Sequence, residues 1–190
     1  TLTSNLIAAI NDVGQRDFAA ASTCASDTCR MWNLLHKLAS EGLRRSRLEL
    51  ELPPVEPHVM LQTLHGFLDQ YFKCHYCRKH FLRQYEEASY GRDEAMKSYK
   101  DLVLYLWCFH SAVSLRVSAL HSCEDSDRRW PPTSLCPTCW DASVEPWVVM
   151  DEAQRLAEKK QLQPRFLTMS ARPNEVEILN FLQANFLETP

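Results

Sequence analysis

Glycine is scarce in this chain, which has only 4 glycines among its 190 residues. This composition argues against a sheet-rich or loop-rich fold and against a glycine-rich loop that cradles phosphate. No apolar run approaches the roughly 20 residues that a membrane span needs. The net charge is −3, which argues against a nucleic-acid binder whose affinity depends mainly on phosphate contacts. The length is sufficient for one core of ordinary size.

No signal peptide is visible in the first residues of this sequence. It begins at Thr1 without an initiator methionine, and no basic region followed by an apolar stretch is visible. We therefore expect a processed chain or an excised domain. Residues 1–23 are expected to be a lead-in segment or the end of a preceding domain.

Helical periodicity dominates the rest of the sequence and predicts an all-α fold. We expect one domain, a four-helix bundle with a short fifth helix, stapled by disulfides. Gly42 is expected to end the first helix, and Gly91-Arg92-Asp93 is expected to be a turn. The predicted helices run from Thr28 to Gly42, from Pro57 to Phe72, from near Cys74 to about Ser89, from Leu102 to Leu120, over 147–161, and from Val176 to Phe186.

The chain has 8 cysteines, and six of them form three close pairs, Cys24/Cys29, Cys74/Cys77 and Cys136/Cys139. Cysteines one helical turn apart can cycle between dithiol and disulfide. At the start of a helix, the exposed N–H groups and the positive end of the dipole favour a thiolate at Cys74/Cys77. Half of a zinc site and a plain structural staple are the alternatives for this pair.

Zinc is a weaker interpretation of the same cysteines. Cys74, Cys77, Cys136 and Cys139 could supply four thiolates for tetrahedral ligation. Zinc sites usually join two such pairs about 12–20 residues apart, whereas a long apolar helix separates Cys77 from Cys136. We expect no metal.

Aromatic and histidine residues recur together at helical spacing. Trp32 and His36 are four residues apart, Trp107 and His110 are three apart, and His80 follows Cys77 by three. Each alone is more simply a buried tryptophan or a hydrogen-bonded core histidine. Together they predict a pocket beside the Cys74/Cys77 pair, with the stacking faces and imidazole donors that a flavin needs.

These motifs, taken in combination, resemble the Erv/ALR-type flavin-dependent sulfhydryl oxidases, and most closely the Erv domain of the quiescin-sulfhydryl oxidases. That family has Trp-x-x-x-His, Cys-x-x-Cys-x-x-His-Phe, Trp-x-x-His-Asn-x-Val-Asn and Trp-Pro-Pro-x-x-Leu-Cys-x-x-Cys. The corresponding residues here begin at Trp32, Cys74, Trp107 and Trp130. The likeness covers residues 24–190, with an insertion near 145–172.

The resemblance implies FAD as the cofactor and Cys74 and Cys77 as the catalytic pair. A substrate thiolate would attack Cys74, and Cys77 would pack on the flavin. Structural disulfides are implied for Cys24–Cys29 and Cys136–Cys139. The cofactor-binding residues assigned in this way are Trp32, His36, Tyr76, His80, Trp107, His110, Ser111, Val113, Ser114, Arg128, Arg129 and Trp130.

Four residues depart from the family pattern. Ser111 and Ser114 stand where the family has asparagine, and the shorter side chain is expected to weaken polar contacts with the cofactor. Cys108 and Cys123 have no family counterpart. They either bond to each other or are buried thiols.

The expected function is oxidation of protein dithiols by O₂, giving disulfides and hydrogen peroxide. The expected partners are protein dithiols or an upstream thioredoxin-like shuttle domain, with no nucleic acid and no membrane span. The secretory pathway is favoured over the mitochondrial intermembrane space. A zinc-stabilised interaction module and a catalytically silent Erv-like scaffold are the alternatives.

Overall fold

The computed structural model of the protein describes residues 26–48, 55–120, 130–140 and 174–187. In these ranges the regular structure is helical, which confirms the all-α prediction. Four helices of 12–22 residues and a terminal helix of 12 residues agree with the expected bundle, and one further helix has a single turn. The helices are α1 (Asp27–Ser46), α2 (Pro57–Tyr71), α3 (His75–Glu86), α4 (Arg92–Ala95), α5 (Tyr99–Leu120) and α6 (Glu175–Phe186).

Helix α1 begins at a side-chain cap and continues further than its sequence predicts. The Ser26 side chain accepts a hydrogen bond from the N–H of Cys29, and the helix ends after Ser46. The prediction that Gly42 ends α1 was wrong. A Cβ built on Gly42 would overlap the ring of Tyr99, so this glycine lets α5 approach the C-terminal part of α1 closely.

Tyr99 is buried beneath α1 at the start of α5. Only 4% of its surface is exposed, and its hydroxyl donates to the carbonyl of Val55 just ahead of α2. This one side chain therefore joins the first turn of α5 to α1 and to the segment that leads into α2.

Helix α5 is the centre of the bundle and packs against α1, α2, α4 and α6. Several of its apolar side chains are almost completely buried, each contributing about 1.5–3 kcal/mol of hydrophobic stabilisation. These α5 residues include Leu102, Val103, Leu106 and Phe109.

Between α3 and α4 the chain turns through left-handed backbone. Ala88, Tyr90 and Gly91 have φ angles of 51°, 58° and 80°. The expected turn at Gly91 is therefore present, but Arg92 and Asp93 already belong to α4. Helix α3 ends at Glu86, three residues before the expected Ser89.

The segment 130–140 is bonded to the middle of α5 and to the start of α6. The N–H of Asn174, which caps α6, donates to the carbonyl of Cys139 at 2.9 Å. The indole N–H of Trp140 donates to the carbonyl of Pro131 at 2.8 Å. These bonds hold Trp130 at the start of this segment in a fixed place.

No helix in the described ranges is long and apolar enough to cross a membrane. The predicted helix over 147–161, the lead-in segment 1–23 and the insertion near 145–172 lie outside the described residues.

Candidate active site

Cys74 and Cys77 form a disulfide at the N-terminus of α3. Cys74 is the N-cap, and its sulfur accepts a hydrogen bond from the N–H of Cys77 at 3.3 Å. Both cysteines are half-buried, so the bond lies at the surface of the bundle. The positive end of the α3 dipole favours negative charge on a sulfur at this position.

The first turn of α1 contacts the same disulfide. The Thr28 hydroxyl oxygen lies 3.8 Å from the Cys77 sulfur. One turn further along α1, the Trp32 ring stacks on His110 with 4.3 Å between ring centroids and 6° between planes. One face of α1 therefore contacts both the disulfide and a cluster of rings.

This ring cluster consists of Trp32, His36, His110 and Trp130. Trp130 stacks on His36 at 4.4 Å and lies 3.9 Å from His110. The Nε2 of His36 and the Nδ1 of His110 are 3.0 Å apart, a hydrogen-bond distance. Phe186 of α6 closes the cluster, 5.3 Å from His36. The cluster thus joins α1, α5, α6 and the segment at Trp130.

The imidazoles in and near this cluster are neutral. Burial lowers the pKa of His36, and burial together with the neighbouring His36 lowers the pKa of His110. Burial, with the positive charges of Arg116 and Arg83, lowers the pKa of His80 to about 4. Each ring therefore offers one N–H donor and one acceptor nitrogen at neutral pH.

Two of these imidazole nitrogens are buried without a hydrogen-bond partner among the described residues, Nδ1 of His36 and Nε2 of His80. An unsatisfied buried polar group costs about 1–3 kcal/mol, so a ligand that pairs with either nitrogen gains that amount. The cluster rings touch one another, so a planar ligand would replace one of these ring contacts. Flat ring faces and unpaired imidazole nitrogens fit a planar heteroaromatic cofactor such as a flavin.

Comparison with protein families shows which one shares these motifs. The model of the Erv1 / Alr family matches residues 29–131, more than half of the chain. This chain belongs to the Erv1 / Alr family. The match includes the α3 disulfide and all four rings of the cluster, and it confirms the resemblance drawn from the motifs.

Curated relatives of this Erv1 / Alr chain carry the name sulfhydryl oxidase. Sulfhydryl oxidase 1 of Cavia porcellus is 29% identical over 151 residues, covering 77% of this chain and 24% of that protein. Sulfhydryl oxidase 1 of Rattus norvegicus is 31% identical over 114 residues, covering 58% and 14%. Sulfhydryl oxidase 2 of Homo sapiens is 28% identical over 137 residues, covering 70% and 19%. The chain spans about a quarter or less of these relatives' length.

Trp107 and Ser111, two of the predicted cofactor-binding residues of this Erv1 / Alr chain, are not part of the ring cluster. Trp107 Nε1 and Ser111 Oγ both donate to the carbonyl oxygen of Trp130, at 2.8 Å and 2.7 Å. The Trp107 ring packs on Trp140 at 5.6 Å, and Ser111 is completely buried. Both side chains therefore fix the backbone of Trp130 through its carbonyl oxygen.

Tyr76 lies between Cys74 and Cys77 in the chain and is 62% exposed. Arg116 of α5 donates to its hydroxyl at 3.0 Å and lies over its ring at 5.3 Å. Sequence reasoning missed Arg116, whose buried Nε has no partner among the described residues. The only feature of the sequence that could have indicated Arg116 is that it is a lone cation on an apolar helix, six residues after His110. Val113 and Ser114 are half-buried on α5.

The remaining cysteines separate into disulfides and one thiol. Cys136–Cys139 is a disulfide, and Cys29 is disulfide-bonded. Cys108 is a free thiol, and burial raises its pKa to about 11. Of the two alternatives for Cys108, the free thiol is therefore the one found, and it is half-buried. Cys24, Cys123, Arg128 and Arg129 lie outside the described residues.

The structure does not favour the zinc alternative. The four cysteines that could have supplied thiolates are bonded in two disulfides. Among the described residues, no group of three or more His, Cys, Asp or Glu could hold a metal ion.

Proposed function

We propose that this Erv1 / Alr chain is a FAD-dependent thiol oxidase that forms disulfides in protein dithiols, with O₂ as the acceptor and hydrogen peroxide as the product. One observation supports it most. On α1, Thr28 contacts the Cys77 sulfur and Trp32, one turn away, stacks on His110. Thr28 and Trp32 are four residues, or about 6 Å, apart along α1, so one helix face contacts both an accessible disulfide and the ring cluster.

The protein's first step is thiol–disulfide exchange at Cys74. An incoming thiolate forms a new S–S bond with the Cys74 sulfur, the Cys74–Cys77 bond breaks, and the electron pair stays on Cys77 as a thiolate. The substrate's second thiolate then attacks the mixed disulfide and releases Cys74 as a thiolate. The substrate is thereby oxidised and the Cys74/Cys77 pair is reduced.

The ring cluster, with the side chains beside it, would hold FAD. Trp32, His110 and Trp130 would supply stacking faces, and the unpaired nitrogens of His36 and His80 would supply hydrogen bonds. Bound FAD would supply the two-electron acceptor for the reduced cysteine pair and pass those electrons to O₂. Burial of the rings excludes water, and the neutral imidazoles avoid a buried positive charge in this site.

We further propose that the substrates are protein dithiols or a thioredoxin-like shuttle domain, and that the enzyme works in the secretory pathway. The relatives' names support thiol oxidation. Disulfides at Cys29, Cys74–Cys77 and Cys136–Cys139 favour an oxidising compartment. The half-buried Cys74 is open enough for a protein thiol to reach it.

An absorption spectrum and an oxygen electrode test the proposal together. Protein purified with adequate flavin should be yellow, with one FAD bound non-covalently, and should consume O₂ when a dithiol such as reduced thioredoxin is added. A folded protein without a flavin band would overturn the cofactor assignment. A flavin band without dithiol-dependent O₂ uptake would instead identify a catalytically silent scaffold.

A further inference from the structure

The contact between Thr28 and Cys77 joins two helices that are distant in sequence. The hydroxyl oxygen and the sulfur are 3.8 Å apart, within reach of a hydrogen bond to sulfur. Because Cys77 is in a disulfide, its sulfur carries no hydrogen. The Thr28 hydroxyl is therefore the donor.

The start of α1 is held in place by contacts on both sides of Thr28. Ser26 caps the helix by accepting from the Cys29 N–H at 3.2 Å, and Cys29 is disulfide-bonded. Thr28 is consequently fixed in the first turn, where the positive end of the α1 dipole lies. The N-termini of α1 and α3 meet at the Cys74–Cys77 disulfide.

The two sulfurs of the disulfide have different donors. The sulfur of Cys74 accepts from the backbone N–H of Cys77, which any residue at that position would supply. The sulfur of Cys77 faces the side chain of Thr28, which depends on the residue type. A substitution at Thr28 can therefore remove the hydrogen-bond donor to the Cys77 sulfur and leave the donor to the Cys74 sulfur in place.

We propose that Thr28 is a positioning residue for Cys77, and that its hydroxyl donates to the Cys77 thiolate when the disulfide opens. This inference builds on the proposed function, in which a substrate thiolate bonds to Cys74 and the electron pair of the broken bond remains on Cys77. Hydrogen bonds to charged groups are stronger than those to neutral ones. A thiolate stabilised in this way is a better leaving group.

Other charged or titratable groups lie on the two helices that meet at Cys77. On α3 the exposed His75 is bonded to Arg78 at 3.2 Å, and on α1 Asp27 pairs with Arg30 at 3.7 Å. These groups are unchanged by a substitution at Thr28, so a difference between variants reports the hydroxyl. On these helices, on the adjoining end of α2 and on α5, such groups include Asp27, Arg30, Asp69, Lys73, His75, Arg78, Lys79, His80 and Arg116.

The test measures how readily the Cys77 thiol ionises, in the full chain carrying Cys74→Ser. Serine preserves the helix cap and leaves Cys77 as a thiol. The rate at which iodoacetamide alkylates Cys77 is followed from pH 5 to 10 by mass spectrometry of its peptide. Adding Thr28→Val should move the midpoint of this profile upward by about one pH unit, a tenfold loss of thiolate below the midpoint.

Matched variants separate the hydroxyl from a general disturbance of the fold. Thr28→Ser keeps a hydroxyl and should retain the parent midpoint, and Thr28→Ala should shift it as valine does. Thr63→Val, which removes a helix threonine bonded to Val59 at 2.7 Å, should leave it unchanged. Equal midpoints for Thr28→Val, Thr28→Ala and the parent would overturn the proposal, as would an equal shift in Thr63→Val.

The alkylation profile does not depend on flavin, O₂ or turnover. A chain that fails to oxidise dithiols but shows the Thr28 shift would overturn the proposed function and support the role of Thr28. A chain that oxidises dithiols but does not show the shift would support the proposed function and overturn the role of Thr28.

Discussion

His36 and His110 share a hydrogen bond of 3.0 Å between Nε2 and Nδ1 inside the ring cluster. One nitrogen of this pair donates and the other accepts, so at least one ring is neutral. Burial disfavours charge on both. The bond links α1 to α5 at the point where Trp32 and Trp130 stack on the imidazoles.

Acid should therefore destabilise this protein. Histidine in an unfolded chain has a pKa of about 6.5, whereas His36, His110 and His80 have lowered values in the fold. The unfolded state binds more protons below that pH, so the stabilisation present above pH 6.5 is lost as the pH falls toward 4.

Chemical denaturation at pH 7.5, 6.0 and 5.0 measures this loss. The exposed His58 is the control residue, and a His58→Gln variant should follow the same pH profile as the parent. Stability that stays constant or rises on acidification would contradict the burial of neutral imidazoles.

Gly42→Ala should destabilise the fold by about 1–3 kcal/mol, because the new methyl group would overlap the buried ring of Tyr99. Gly66 on α2 is the matched control, since nothing lies within 4 Å of a Cβ built there. Gly66→Ala should stabilise the protein by about 0.5–1 kcal/mol. Urea titration of both variants gives the comparison, and equal effects would show that α5 does not press on α1 at Gly42.

Ser111→Asn should destabilise the protein by about 1–3 kcal/mol, although asparagine is the residue that the family motif has there. Ser111 is fully buried and bonded to the Trp130 carbonyl, so a larger amide overpacks the site. Ser111→Ala should cost less, about 0.5–1.5 kcal/mol for one hydrogen bond. Denaturation curves test the order, and Ser111→Asn more stable than Ser111→Ala would refute it.

Ser114→Asn is a separate test of the weakened cofactor contacts expected from sequence. Ser114 is only half-buried, so asparagine can be accommodated there. One added hydrogen bond should tighten FAD binding by up to about tenfold. Titration of apo-protein with FAD measures it, and unchanged or weaker binding would show that serine at this position is no handicap.

Replacing Cys74 or Cys77 should remove activity, whereas replacing Cys136 and Cys139 should lower stability. Cys74→Ser and Cys77→Ser should each abolish dithiol-dependent O₂ uptake, because the Cys74–Cys77 disulfide is the proposed point of exchange. Replacing Cys136 and Cys139 together by alanine should cost about 1–3 kcal/mol and keep turnover. Cys108→Ser is the thiol control and should also keep turnover. Loss of O₂ uptake in the folded Cys136/Cys139 variant would make that pair an electron shuttle.

Sequence alone determined the helical elements and the chemistry that they carry. Apolar spacing along α1 and α5 indicates which residues face the core, and the same periodicity indicates a helix that begins near Cys74. Such signals act within one or two helical turns, so they can be read without a partner. The family motifs are also short stretches of chain, and they already assigned Trp32, His36, His110 and Trp130 to cofactor binding.

Tertiary structure alone decided which partner each of those residues meets. A glycine in α1 gives the same local signal whether it ends a helix or admits a ring, and only the approach of Tyr99 distinguishes the two. Likewise Ser111 bonds to Trp130, and Thr28 meets Cys77, across long stretches of chain. Helical periodicity specifies a face of a helix, whereas close packing between helices selects the neighbour on that face.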